Sequence, residues 1–388
     1  MSVTAPMGFR ASGVTAGIKA SGRPDVALVV NDGPLQSAAA VFTANRFPAA
    51  PVVWSRQVLA DGELHAVILN SGGANACTGP EGFADTHATA EHVAKLLTDS
   101  GRDTGAGEIA VCSTGLIGER LPMTLLLAGC DVASGALSAE GGSDAAEAIM
   151  TTDSVPKVSV ASIRGVTVGG MAKGAGMLAP GLATMLVVLT TDAVALPATL
   201  DRVLRQATRV TFDRIDSDGC MSTNDTVLLM ASGASEIELP EDEFAALVAS
   251  VCADLARQLI HDAEGASKDI RIDVSHAATE DEALEVARAI SRSNLLKCAI
   301  HGEDPNWGRV LSAIGTTAST FEPDAVDVAM NGVWVCRGGA AGESRERVNM
   351  SGREVVISVD LAAGEAGATL WTNDLTADYV HENSAYST

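Results

Sequence analysis

The segment Lys173-Gly-Ala-Gly-Met-Leu-Ala-Pro-Gly-Leu-Ala-Thr184-Met-Leu-Val-Val-Leu189 concentrates the strongest chemical signals in the chain. Gly174, Gly176, Pro180 and Gly181 give way abruptly to an apolar run of strand character, so Thr184 sits where a glycine-rich loop enters a rigid core element. A threonine hydroxyl in that position can attack the carbonyl of the preceding residue, Ala183, when the loop holds the peptide in a strained turn. Hydrolysis of the resulting ester would leave Thr184 as a new N-terminus. Its α-amine, with an unperturbed pKa near ~8, could then serve as base for its own hydroxyl. The same residues also suit a threonine that simply begins a strand, where β-branching is common. A dinucleotide loop fits less well, because Gly174-x-Gly176-x-x-x-x-Gly181 departs from G-x-G-x-x-G and no helical pattern follows it.

Other residue types could serve the same chemistry. Thr114-Gly115 follows the strand-like run Ile109–Cys112. A hydroxyl and a backbone N–H at a strand end can both face one developing oxyanion, although Ser-Thr-Gly is equally ordinary turn chemistry. Lys173 could hold a substrate carboxylate or be a solvated surface lysine. Thr151 and Thr152, in Met-Thr-Thr-Asp153, could bind a substrate amide or carboxylate, or cap a helix.

The elements that must carry these groups are short apolar runs alternating with helical patterns. Strands are predicted at Val26–Val30, Ala66–Leu69, Ile109–Cys112, Met185–Leu189, Thr226–Met230, Ile270–Val274 and Val355–Leu361. Helices are predicted at Phe83–Leu97, Leu200–Val210, Asp242–Ile260 and Asp281–Ser293, with Pro240 as the entry to the third. The mixture points to an α/β or α+β fold. Gly72-Gly73, Gly141-Gly142, Gly169-Gly170 and Gly338-Gly339 are read as turns or close backbone approaches. From Val326 onward helical signals are few, which suggests a separate small C-terminal lobe.

Length and composition bound the function. A chain of 388 residues exceeds one ordinary core and implies two or three lobes. Aromatics are only 3%, so Ala, Val, Leu and Ile must build the interior. A formal net charge of -23 repels phosphate backbones and argues against nucleic acid as a partner. An anionic substrate would need a local cation against that field. The N-terminal residues lack the basic-then-apolar pattern of a signal peptide, and no apolar run approaches the ~20 residues of a membrane span. Seven scattered cysteines without a C-x-x-C pair suit reduced, mostly buried thiols of a cytoplasmic protein. No histidine or cysteine spacing proposes a metal site, and no cofactor is expected.

The cleavage-like segment, Lys173-Gly-Ala-Gly-Met-Leu-Ala-Pro through Ala183-Thr184-Met-Leu, resembles that of the ornithine acetyltransferases, also called glutamate N-acetyltransferases. Further blocks are similar to the family in its order. They are Gly8-Phe-Arg-Ala-Ser-Gly13 with Gly17-Ile-Lys19, Asn70-Ser-Gly-Gly-Ala-Asn-Ala-Cys-Thr-Gly79, Ser113-Thr-Gly-Leu-Ile-Gly118 and Ala148-Ile-Met-Thr-Thr-Asp153. Ser222-Thr-Asn-Asp-Thr226, Asp304-Pro-Asn-Trp-Gly-Arg309 and Asn383-Ser-Ala-Tyr-Ser-Thr388 complete the series. Gly73, where the family often has Asn, and Asp218-Gly-Cys-Met221 are small departures.

The resemblance implies cleavage between Ala183 and Thr184 into an α chain, 1–183, and a β chain, 184–388, paired again as a dimer of heterodimers. It implies Thr184 as nucleophile, an acetyl-enzyme made from N-acetylornithine, and transfer of the acetyl group to glutamate, with acetyl-CoA as a further donor in some members. It implies a layered α/β sandwich like that of N-terminal-nucleophile hydrolases but of different connectivity. Thr114 and Gly115 become the oxyanion site, and Thr151 (or its neighbour Thr152) and Lys173 substrate ligands. Glu264 becomes a partner for an amino group, and Asn383 and Thr388 belong to a C-terminal end folded over the substrate, with Tyr386 as an anchor. Asp304–Arg309 is read as structural or as packing near the site, without a catalytic role. Two other functions stay open: a self-processing aminopeptidase or amidase passing the acyl group to water, and an uncut metabolite-binding protein.

Overall fold

The computed structural model describes residues 2–179 and 185–385. Two sheets form the body. The first, of four strands, has the order Phe9–Val14, Val26–Asn31, Ala66–Asn70, Ile109–Ser113, the last pair parallel. The second, of five, has the order Ser37–Phe42, Thr226–Ala231, Leu186–Thr191, Val166–Lys173, Lys157–Ile163, with Leu186–Thr191 and Thr226–Ala231 parallel.

Alternation along one strand explains the layering. Leu186 and Val188 join the core shared with the first sheet, whereas Val187 and Leu189 join a second core. That second core is closed by the helices Pro197–Val210 and Glu241–His261. The helices Gly79–Asp99 and Met123–Gly135 contribute Ala90, Val93, Leu97, Leu126, Cys130 and Ala133 to the first core. The order is therefore helices, four-stranded sheet, five-stranded sheet, helices. Strands covered on both faces must be apolar throughout, as Val26–Asn31 and Leu186–Thr191 are buried along their whole length. The helix Glu241–His261 has the length and apolarity of a membrane span, yet Phe244, Leu247, Val248, Val251 and Leu255 bury its apolar face in the second core.

The smaller lobe begins earlier than Val326. Its six-stranded sheet is organised around Asp269–Ala277, which pairs parallel with Glu354–Asp360 and antiparallel with Ala366–Asn373. Helices Glu280–Ser291, Asn294–His301 and Trp307–Ile314 pack into the same core. Pairing across some 80 residues of chain is not visible in local periodicity, so the lobe's first strand was separable from its partners only in space. Asn306 caps the last of those helices through Arg309 N–H. A final helix, Ala377–Ala385, was not anticipated.

Gly169-Gly170 is not a turn. It lies within the strand Val166–Lys173, and a Cβ at Gly169 would fall 2.2 Å from the Ser2 carbonyl oxygen. The pair admits close packing on both faces. Gly338-Gly339 is a turn, with φ of +55° and +67°. Of the cysteines, Cys112, Cys130, Cys252 and Cys336 are buried and Cys77, Cys220 and Cys298 are exposed. Among the described residues no group of three or more His, Cys, Asp or Glu is placed to hold a metal.

Candidate active site

One pocket draws together residues that lie far apart in the chain. Thr114, Gly115, Thr151, Thr152, Lys173, Glu264 and Asn383 all line it. Ala74, Ile117, Gly176, Met177, Ser222 and Asn224 complete the wall. Thr184 and Ala183, like Thr388 and Tyr386, lie outside the described residues.

Thr114 and Gly115 extend the C-terminal end of the strand Ile109–Ser113. Thr114 N–H donates to Asn70 O at 2.9 Å, and Gly73 N–H donates to Thr114 O at 3.0 Å. Below them Asn224 Nδ2 donates to Ala74 O at 2.6 Å and to Ser113 O at 2.7 Å, fastening the two loops. Gly115 must be glycine. Its φ is +132°, and a Cβ would lie 2.7 Å from the Gly73 nitrogen. Its own N–H makes no hydrogen bond among the described residues. Thr114 Oγ1 accepts from Lys173 Nζ at 3.3 Å, which leaves its own proton free to donate. The pair can therefore present two donors to one oxygen.

Lys173 ends its strand fully inside, with 2% of its surface exposed, which excludes a solvated surface lysine. Burial pulls its ammonium pKa down, and Asp153 opposes that fall. Asp153 is itself buried. Its Oδ1 accepts Lys157 Nζ at 2.6 Å and Gly174 N–H at 2.7 Å, and its Oδ2 accepts Thr151 N–H at 2.9 Å. Burial works against its ionisation, but Lys173 and Lys157 outweigh it and bring the carboxyl down to about 2. Lys19, half-buried nearby, is lowered to about 8 by burial, and its Nζ donates to Met150 O at 2.6 Å and Pro24 O at 2.9 Å. These cations are the local positive field that the acidic chain otherwise lacks.

Glu264 stands against the backbone at Gly176, where a Cβ would be 2.6 Å from its carboxylate. Its N–H donates to Ala175 O at 3.0 Å. Asn383 Nδ2, from the final helix, donates to Glu264 Oε2 at 3.0 Å. The pocket thus carries a cation on one wall and a carboxylate on another, an arrangement suited to a zwitterion.

Asp225 escaped the sequence reading, although it belongs to the block Ser222-Thr-Asn-Asp-Thr226. It is wholly buried; Oδ1 accepts Met185 N–H at 3.0 Å and Oδ2 takes no hydrogen bond among the described residues. Burial raises its pKa well above the ordinary range, against the pull of that N–H and of Lys173. Leu186 pairs with Lys173 on one side and with Thr226 on the other, so this strand starts at the pocket.

Residues 10–388 match the model of the ArgJ family. The chain is 69% identical to the arginine biosynthesis bifunctional protein ArgJ of Streptomyces coelicolor over 387 residues, the whole of both chains. It is 58% identical to the protein of that name from Mycobacterium tuberculosis, over 99% of this chain and 96% of the relative. A solved structure of ornithine acetyltransferase with ornithine, also from Mycobacterium tuberculosis, is 59% identical with a TM-score of 0.44, over 48% of this chain and 96% of that one. On the strength of the family match and of these full-length identities, the chain belongs to the ArgJ family.

Proposed function

We propose that this chain is a self-cleaving acetyltransferase of arginine biosynthesis, acting in the cytoplasm, that moves an acetyl group from N-acetylornithine to glutamate through an acetyl ester on Thr184. The observation that carries the proposal is the convergence of Thr114, Gly115, Thr151, Lys173, Glu264 and Asn383 on one pocket.

The precursor breaks between Ala183 and Thr184, giving the chains 1–183 and 184–388, which remain associated and pair again as a dimer of heterodimers. The freed α-amine takes the proton of the Thr184 hydroxyl as its oxygen attacks the acetyl carbon of N-acetylornithine. Thr114 Oγ1 and Gly115 N–H receive the charge that develops on the acetyl oxygen. Two such donors in a dry site act far more strongly than in water. Collapse breaks the C–N bond, and the amine's proton passes to the departing ornithine nitrogen. Glutamate then enters with its carboxylate toward Lys173, and its neutral amino group attacks the acetyl ester. Threonine is released, its oxygen recovering a proton from the attacking nitrogen. Glu264 holds an ammonium group of the amino acid, and Asn383 and Thr388 close the site.

The relatives are named bifunctional. The second activity we propose is acetyl transfer from acetyl-CoA to glutamate on the same threonine. Purified protein given N-acetylornithine and glutamate should form ornithine and N-acetylglutamate in equal amounts with ping-pong kinetics. Acetate release that glutamate cannot divert would instead identify a hydrolase and contradict the proposal.

A further inference from the structure

Behind the Lys173 wall of the pocket stand three charged groups, Asp153, Lys157 and Asp262, that the reaction itself does not use. Lys157 has no exposed surface. Its Nζ donates to Asp153 Oδ1 and to Asp262 Oδ2, each at 2.6 Å. Asp153 is fastened to the cation wall of the pocket through Gly174 N–H and to the hydroxyl wall through Thr151 N–H. Asp262 caps the C-terminus of the helix Glu241–His261 and accepts Ser154 N–H at 3.0 Å. Two residues further on stands Glu264, the carboxylate wall. The sequence Lys173, Asp153, Lys157, Asp262 therefore alternates in sign from one charged wall to the foot of the other.

Such a line is a poor device for stability alone. Taking several charges out of water is costly, and well-packed apolar residues frequently stabilise as well. What it supplies is a fixed distance. Each carboxylate has its acceptor sites filled from defined directions, so the strand Val166–Lys173 and the end of the helix cannot slide past each other without leaving a buried charge unpaired. The Glu264 N–H bond to Ala175 O closes the same frame on the pocket side.

We propose that Lys157, clamped between Asp153 and Asp262, is a positioning residue that sets the separation of Lys173 from Glu264, and through it the length of the α-amino acid that the pocket accepts. This rests on the acetyltransferase reading for the identity of the ligand as a diamino acid. A frame of this kind is felt as discrimination between homologues differing by one methylene, which a shaped site typically separates by about 10-fold or more.

The test is calorimetric binding of ornithine, of 2,4-diaminobutyrate and of lysine to the mature protein, so that no turnover is needed. The wild type should prefer ornithine by about 10-fold over either homologue, and Lys157→Met should shrink that preference to about 3-fold or less while still binding all three. Lys157→Arg, which keeps the charge, should restore most of the preference. Asp262→Asn, at the outer end of the line, should loosen it in the same direction and is the variant to use if Lys157→Met does not fold. Soluble variants with the wild-type preference overturn the positioning role and leave the acetyltransferase reading intact. A wild type that binds none of the three amino acids overturns that reading, and this proposal with it.

Discussion

At the scale of the residue, the account turns on groups whose environment changes what they can do. Gly115 is the clearest. Its left-handed φ and the Gly73 backbone beneath it leave no space for a side chain. Gly115→Ala must swing the N–H away from the pocket, and removal of one oxyanion donor commonly lowers kcat about 100- to 1000-fold. The expected result is that fall with little change in KM, measured by steady-state kinetics at a temperature where the variant is folded. Lys173 gives a prediction in pH. Burial lowers its pKa, so its charge is present at low pH and is lost as pH rises, before the ordinary lysine range near ~10.4. KM for glutamate should therefore climb at a pH below that range. Lys173→Met should have a high and nearly flat KM across the same interval.

At the scale of the element, the sequence was most legible where an element is long or wholly apolar. The predicted runs Val26–Val30, Ala66–Leu69 and Thr226–Met230 fall on observed strands to within a residue or so. So does the helix predicted at Asp242–Ile260, while the one predicted at Leu200–Val210 begins three residues earlier, at Pro197. The strand Ser37–Phe42 was missed because Ser-Ala-Ala-Ala-Val-Phe has little β preference of its own. It is a strand because Thr226–Ala231 offers it an edge. Val166–Lys173 was missed because its two central glycines imitate a turn. The alternative reading, a close backbone approach, holds at Gly169. Gly169→Ala would drive a methyl group into the Ser2 carbonyl and, by overpacking, should lower stability by about 1–3 kcal/mol. Urea unfolding checks it; an unchanged midpoint would show that the N-terminal residues yield freely.

The candidate site was legible in a different way. Thr114, Gly115 and Lys173 could be argued from residue type and position, but Glu264 and Asn383 could not. One acidic residue among many, and one asparagine near a chain end, carry no local signal. The family resemblance alone named them, and the folding of the helix end at Asp262 and of the final helix onto the pocket brings them there. Asp225 was passed over for the converse reason: an aspartate in a polar block reads as surface, whereas here it is wholly buried.

At the scale of the whole molecule, an acidic protein buries Lys173 at the pocket and Lys157 and Asp153 behind it. This arrangement should be visible in acid stability. Asp153 has its pKa depressed to about 2, so its contribution is complete above the ordinary aspartate range and is lost as pH falls from about 4 towards about 2. The difference corresponds to roughly 2 kcal/mol. Asp153→Asn should be less stable by at least that amount at neutral pH and should lose less on acidification, as chemical unfolding across that pH range would record.

The most direct measurement is the N-terminal sequence and intact mass of purified, active protein. The account predicts two chains, one of them starting at Thr184, and a single uncut, inactive chain for Thr184→Ala. Full transferase activity in a wild-type protein whose Ala183–Thr184 bond is whole would contradict it.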